Sequence, residues 1–417
     1  MLSRSVLLLS AFLACGTAMA QELLLRHSLE GRALDTLATL ALRFNDEQKG
    51  KGRVVLQNLA GVDDRRQLPE MAFLNPDDCV AFFATRPRFR PLHEVMKEAG
   101  EKFDQNRLFP QIADAVDDVT GRVQALPVGL VLPVLYFNQD AFRKAGLDPK
   151  KPPATWWEVQ EAAGKLFDAG FKCPLTSSRF SWIHVENVSS QHSEPLLAGR
   201  GKDGRVAMNS LVNVKHLALL ASWQKSFYFH YFGPGREADR KFASGECAML
   251  TGESVLYSEL ARIPGFPLGV AELPHYDDIR DAKPADVLPD GASLWILAGG
   301  KKDEYRLAAR FATFLLRPEV QKEWVRGTGY LPMTREAIDA LKTDSAAPEL
   351  LELARKRLSA PKLGAARTKS GAGRSRIREI LNEEVEFVWG NRKPAKEALD
   401  TAMRRAGDVL RGDGKQR

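Results

Sequence analysis

Residues Leu132 to Glu158 read LPVLYFNQDAFRKAGLDPKKPPATWWE, and this stretch decides the fold. Pro133 to Phe137 is an apolar run of strand-favouring residues. Asn138 and Asp140 can start a short helix that Ala141 to Ala145 continue. Gly146 can stop it, because glycine enters the left-handed backbone region at little cost. Pro149, Pro152 and Pro153 keep the next residues extended. Thr155 precedes Glu158 at the spacing of a capping box, so a second helix opens there.

The same alternation of strand-like runs and amphipathic helices continues on both sides and predicts an α/β architecture. Leu23 to Ser28, Val54 to Gln57 and Met71 to Leu74 read as strands, with a helix over Arg32 to Asp46. Val212 to Phe227 and Tyr305 to Leu316 read as helices. GECAM at Gly245 to Met249, Gly269 to Leu273 and Leu294 to Leu297 read as short buried strands. Gly371 to Ser375 reads as a small-residue, basic loop ahead of a helix that starts at Ile377.

Six further stretches accompany the opening one: RHSLEG at Arg26, WIHVEN at Trp182, GECAM, GASLW at Gly291, TGYLPMT at Thr328 and IREILNEEVEFVW at Ile377. In order and spacing they resemble bacterial extracellular solute-binding proteins, most closely the branch that binds glycerol-3-phosphate. The resemblance implies two α/β lobes with the ligand cleft between them. The first lobe is expected over 21–137 plus 289–333, and the second over 138–288 plus 334–417. It also implies a bond between Cys173 and Cys247, while Cys79 reads as a buried small hydrophobe. The segment Gly61 to Glu70 is shorter than in the family and lies near the usual cleft.

Bulk properties agree with an exported soluble chain. Arg4, the short apolar run Leu7 to Ala14 and Ala18-Met19-Ala20 form a cleavable signal, so the mature chain is expected to begin near Gln21 in the periplasm. Cys15 is a weak lipidation site, because its preceding residues lack the usual aliphatic position. The 417 residues favour two domains. The net charge of +7 could suit nucleic acid. A signal sequence and the absence of a recognition motif turn that reading towards solvated helix faces, so no nucleic-acid partner is expected.

No sequence signature of a hydrolase, metalloprotease, redox pair or phosphate-binding loop occurs, and the seven histidines lack ligand spacing. The reading is therefore a binder and not an enzyme, with no cofactor and no metal. Trp182 offers a rigid apolar wall, and Tyr330 a flat ring with a hydroxyl beside Gly327 and Gly329. Ser293 can donate to a ligand, and Glu253 and Ser254 stand where the branch has two serines. Arg179 replaces a second tryptophan. Asp77 or Asp78 stands near the family's acidic contact. Ser370 replaces its arginine, with Arg374 close by and helix-opening N–H groups able to meet an anion. Asp290 replaces a glycine, and Leu130 to Leu132 replace hydroxyl donors.

The expected function is the substrate-binding component of an ABC importer, working as a monomer with its permease subunits. The resemblance implies glycerol-3-phosphate or a glycerophosphodiester such as glycerophosphocholine as solute. The changed residues keep a sugar or an amine-bearing solute as alternatives. An enzyme or a ligand-dependent signalling module on the same lobes is the alternative of another class.

Overall fold

The computed structural model describes residues 21–414 except 60–69, 76–77, 80–81, 83–87, 110–115, 117–121, 195, 199–204, 280–286, 342–347 and 359–371, and except the side chains of 197–198, 205, 372–375 and 409–414. The signal segment, Asp77, Ser370 and nearly all of the shortened segment lie outside the described residues, as does the side chain of Arg374.

In chain order the strands are β1 (Gln21–His27), β2 (Gly52–Asn58), β3 (Met71–Leu74), β4 (Phe89–Arg90), β5 (Leu126–Pro127), β6 (Pro133–Asn138) and β7 (Cys173–Ser177). Then come β8 (Leu197–Ala198), β9 (Arg205–Val206), β10 (Phe229–His230), β11 (Cys247–Glu253), β12 (Leu268–Glu272) and β13 (Ser293–Leu297). They build two main sheets, each belonging to one α/β lobe. The first has the order β2-β1-β3-β13-β4, with β5 also paired to β13, and the second the order β10-β7-β11-β6-β12.

In the first sheet β1 runs parallel to β2 and β3, and the late strand β13 returns antiparallel to β3. Leu23 and Leu25 of β1 are fully buried beneath the helix Gly31–Glu47, whose Leu37, Leu40 and Phe44 face them in one core. In the second sheet β6 lies between β11 and β12, antiparallel to both. Its unbroken apolar run fits that central place, because both faces are covered. This corrects the sequence boundary: Pro133 to Phe137 belongs to the second sheet, so the chain leaves the first lobe before Pro133 and not after Phe137.

The local signals act as their chemistry requires. Asn138 caps the helix Gln139–Lys144 by accepting from the Asp140 and Ala141 amides at 2.9 and 3.0 Å. Gly146 adopts φ +72°. Thr155 and Glu158 form the reciprocal capping box of the helix Trp156–Asp168. Of the loop expected over Gly371 to Ser375, residues 372–375 instead start a helix, Ala372–Trp389, and Gly371 lies outside the described residues. Glycine costs least where a helix is only beginning, so a Gly-rich first turn reads locally as a loop. Cys173 and Cys247 are bonded at the starts of the neighbouring parallel strands β7 and β11. Cys79 is only half-buried, not the buried residue expected.

Candidate functional site between the lobes

The chain passes between the sheets along three segments that hydrogen-bond to one another. Val131 N–H donates to the Asp290 carbonyl at 2.9 Å and Asp290 N–H returns to Val131 at 3.1 Å. Leu331 N–H donates to the Leu130 carbonyl at 2.8 Å. Leu130, Val131 and Leu132 are therefore buried in these crossings. Two glycines let the crossings touch. A Cβ on Gly129 would stand 2.8 Å from the Tyr330 ring, and one on Gly291 would stand 1.6 Å from the Gly129 carbonyl oxygen.

Tyr330 packs against the cores of both lobes. Burial raises its phenol above the usual range. The charges of Glu253 and Asp78 push the same way, while Arg236 and Arg179 oppose them. The hydroxyl therefore sits in a field from both lobes. On the first-lobe side, Asp78 accepts from Ser28 Oγ, and Asn75 Nδ2 donates to the same serine at 3.1 Å.

On the second-lobe side the charged groups form one alternating chain, Glu186–Arg378–Asp290–Arg179–Glu253–Arg236–Asp239. Arg378 bonds Asp290 and both oxygens of Glu186, with Nη2 at 2.8 Å from Oε2. Arg179 lies 3.8 Å from Asp290 and 3.6 Å from Glu253. Arg236 lies 3.7 Å from Glu253 and 2.8 Å from Asp239. Among the described residues each arginine stands between two carboxylates, and acids occupy both ends. Burial opposes the Arg378 charge, but Asp290 and Glu186 more than offset it and its pKa is raised. Burial pushes Glu253 and Asp239 up, against the pull of their arginines.

The fold aims these groups through the backbone. Tyr136 in β6 donates its hydroxyl to the Glu253 and Ser254 carbonyls at 3.0 and 3.1 Å, which fixes the end of β11. Arg179 has φ +51°, a costly conformation for a residue with a Cβ, and its N–H donates to the Gly235 carbonyl at 2.6 Å. That turn directs the guanidinium back towards Glu253.

Among the expected site residues, Arg179 and Glu253 are brought together at 3.6 Å, and their charges, with that of Asp78, bear on the Tyr330 phenol. Trp182 is not a free platform. It is 1% exposed, packs in the second-lobe core, and donates its indole N–H to the Leu288 carbonyl at 2.9 Å. Ser254 is fully buried and its hydroxyl accepts the Leu132 amide at 3.0 Å. Ser293 accepts the Trp295 indole N–H at 2.9 Å. The sequence reading missed Arg378, Glu186, Arg236, Asp239, Ser28 and Asn75. Glu186 and Arg378 lie inside WIHVEN and IREILNEEVEFVW, which was the signal available.

Two α/β lobes joined by buried, charged crossings fit a solute-binding protein. The model of the bacterial extracellular solute-binding protein family matches residues 60–350, and the chain belongs to that family. The chain is 34% identical over 401 residues to the sn-glycerol-3-phosphate-binding periplasmic protein UgpB of Escherichia coli K12, covering 92% of this chain and 91% of that one. Among solved structures, the cyclic alpha-maltosyl-1,6-maltose binding protein of Arthrobacter globiformis aligns with a TM-score of 0.74 at 19% identity, over 94% of this chain and 100% of that one. UgpB of Mycobacterium tuberculosis in complex with glycerophosphocholine aligns at 0.72 and 17% identity, over 94% and 99%. The chain is thus the substrate-binding component of an ABC importer, similar to UgpB. Among the described residues, no helix is long and apolar enough to cross a membrane.

Proposed function

We propose that this protein is exported to the periplasm by residues 1–20, binds a glycerophosphodiester with a cationic head group, and presents it as a monomer to its permease. Glycerophosphocholine is one such solute. The observation that carries this reading is the alternating chain, with three arginines against four carboxylates. Among the described residues its arginines are engaged by resident acids, and its carboxylates outnumber its arginines. A dianionic phosphate monoester meets repulsion there, whereas a quaternary ammonium is attracted by the Glu253 charge and a hydroxyl can donate to it. The likeness to a glycerol-3-phosphate binder supports a glycerol-phosphate unit in the solute. The fold shared with a glycerophosphocholine complex agrees with it.

Titration of glycerophosphocholine and glycerol-3-phosphate into ligand-stripped protein tests the reading. Calorimetry should give a Kd for the diester about tenfold lower, a difference of about 1.4 kcal/mol. Preference for the monoester overturns it, as does tight binding of a neutral sugar with neither phosphate compound bound.

A further inference from the structure

The second crossing is held from both sides of one residue. From the second lobe, Asn187 Oδ1 accepts the Leu288 amide at 2.8 Å, and the Leu288 carbonyl accepts from Trp182 Nε1 and Asn187 Nδ2. The Asp290 carboxylate continues this hold through Arg378 and Arg179. From the other side, the Ala292 carbonyl accepts the Val128 and Gly129 amides at 2.9 and 3.0 Å, and β13 begins at Ser293 in the first sheet. Gly291 lies between the two holds at φ +136°, where other residues are strained.

We propose that Asp290 is the positioning residue of the hinge. It fastens the second crossing to the second lobe, confines bending to Gly291, and links that bend to the cleft through Arg179. Arg179 stands almost equally far from Asp290 and Glu253, at 3.8 and 3.6 Å. A solute donor that draws Glu253 away shifts the Arg179 charge towards Asp290 and tightens the crossing. Loss of the Asp290 charge shifts it towards Glu253 and loosens the crossing. This linkage needs the two-lobed fold and does not depend on which solute is bound.

The test uses the ligand-free full chain, so failure of the glycerophosphodiester reading leaves it intact. Hydrogen exchange and small-angle scattering are compared for wild type, Asp290→Asn, Asp290→Glu and Glu253→Gln. Asn keeps the shape and removes the charge. It should speed exchange of the amides in 126–132 and 287–293 about tenfold and shift the radius of gyration, with β7 and β11 amides unchanged. Asp290→Glu should restore protection. Glu253→Gln should slow the same crossing amides, and the double variant Asp290→Asn, Glu253→Gln should behave like Asp290→Asn alone, because both act through Arg179. Wild-type exchange in Asp290→Asn, or acceleration spread evenly over both sheets, overturns the positioning role. Additive effects in the double variant overturn the link through Arg179.

Discussion

Two polar networks run through the second lobe, and they solve burial in opposite ways. The first is the ion chain from Glu186 to Asp239. The second is neutral: His184 Nδ1 contacts His216 Nε2 at 2.8 Å, His184 Nε2 contacts Ser177 and Thr251 hydroxyls at 2.9 and 3.0 Å, and His216 Nδ1 contacts the Tyr276 hydroxyl at 2.8 Å. One proton per ring, all running in one direction, satisfies every contact. A second proton on both rings would set N–H against N–H between them. Both networks start from the same π-helical segment, Ser181–Asn187. Glu186 turns to the arginines and His184 into the core. Where an opposite charge is within reach, the fold keeps ions; where none is, burial keeps the group uncharged. Burial lowers His184 to about 3 and His192 to about 4, and holds His216 well below the usual value.

Breaking the ion chain gives the largest expected effect. Arg378→Gln leaves Glu186 and Asp290 without their shared cation and should cost about 3–5 kcal/mol of stability at pH 7, measured by denaturant unfolding. A cost near zero would show that the chain is solvated and not a buried unit. Acid should break the neutral network next. Its folded pKa values lie below the unfolded value near 6.5, so the stabilisation is present above pH 6.5 and is lost as pH falls towards them. His184 alone should remove about 2 kcal/mol between pH 7 and 5. Glu253 and Asp239 are shifted upwards, so they work against that loss. Equal unfolding free energies at pH 7 and 5 would erase the contrast between the networks. The smallest effect belongs to Tyr330→Phe, which keeps the ring and removes the hydroxyl. It should weaken glycerophosphocholine binding by about 1 kcal/mol with stability unchanged. Unaltered affinity would leave Tyr330 a hinge contact only.

The sequence carried the framework well because its signals are local. Thr155 and Glu158 cap one helix within a single turn, and Met71 to Leu74 is a strand with the predicted bounds. The site was harder to read because its pairings are remote. Glu186 meets Arg378 across 192 residues, and no periodicity records that contact. Aromatic and hydroxyl side chains misled for a related reason. Trp182 and Ser254 carry groups suited to a ligand, but only the fold shows that Leu288 and Leu132 already take them. Arg179 and Glu253 were legible because each departs in charge from the family pattern at a motif position.

Trp324 gives the crossings an optical gauge. Its indole N–H donates to the Val128 carbonyl at 2.5 Å, while its ring stacks on Tyr330 with centroids 6.1 Å apart. One chromophore thus touches two of the three strands that join the lobes. Any change in their relative position alters its hydrogen bond and its neighbour together, and so its share of the emission from the chain's seven tryptophans, without an attached dye.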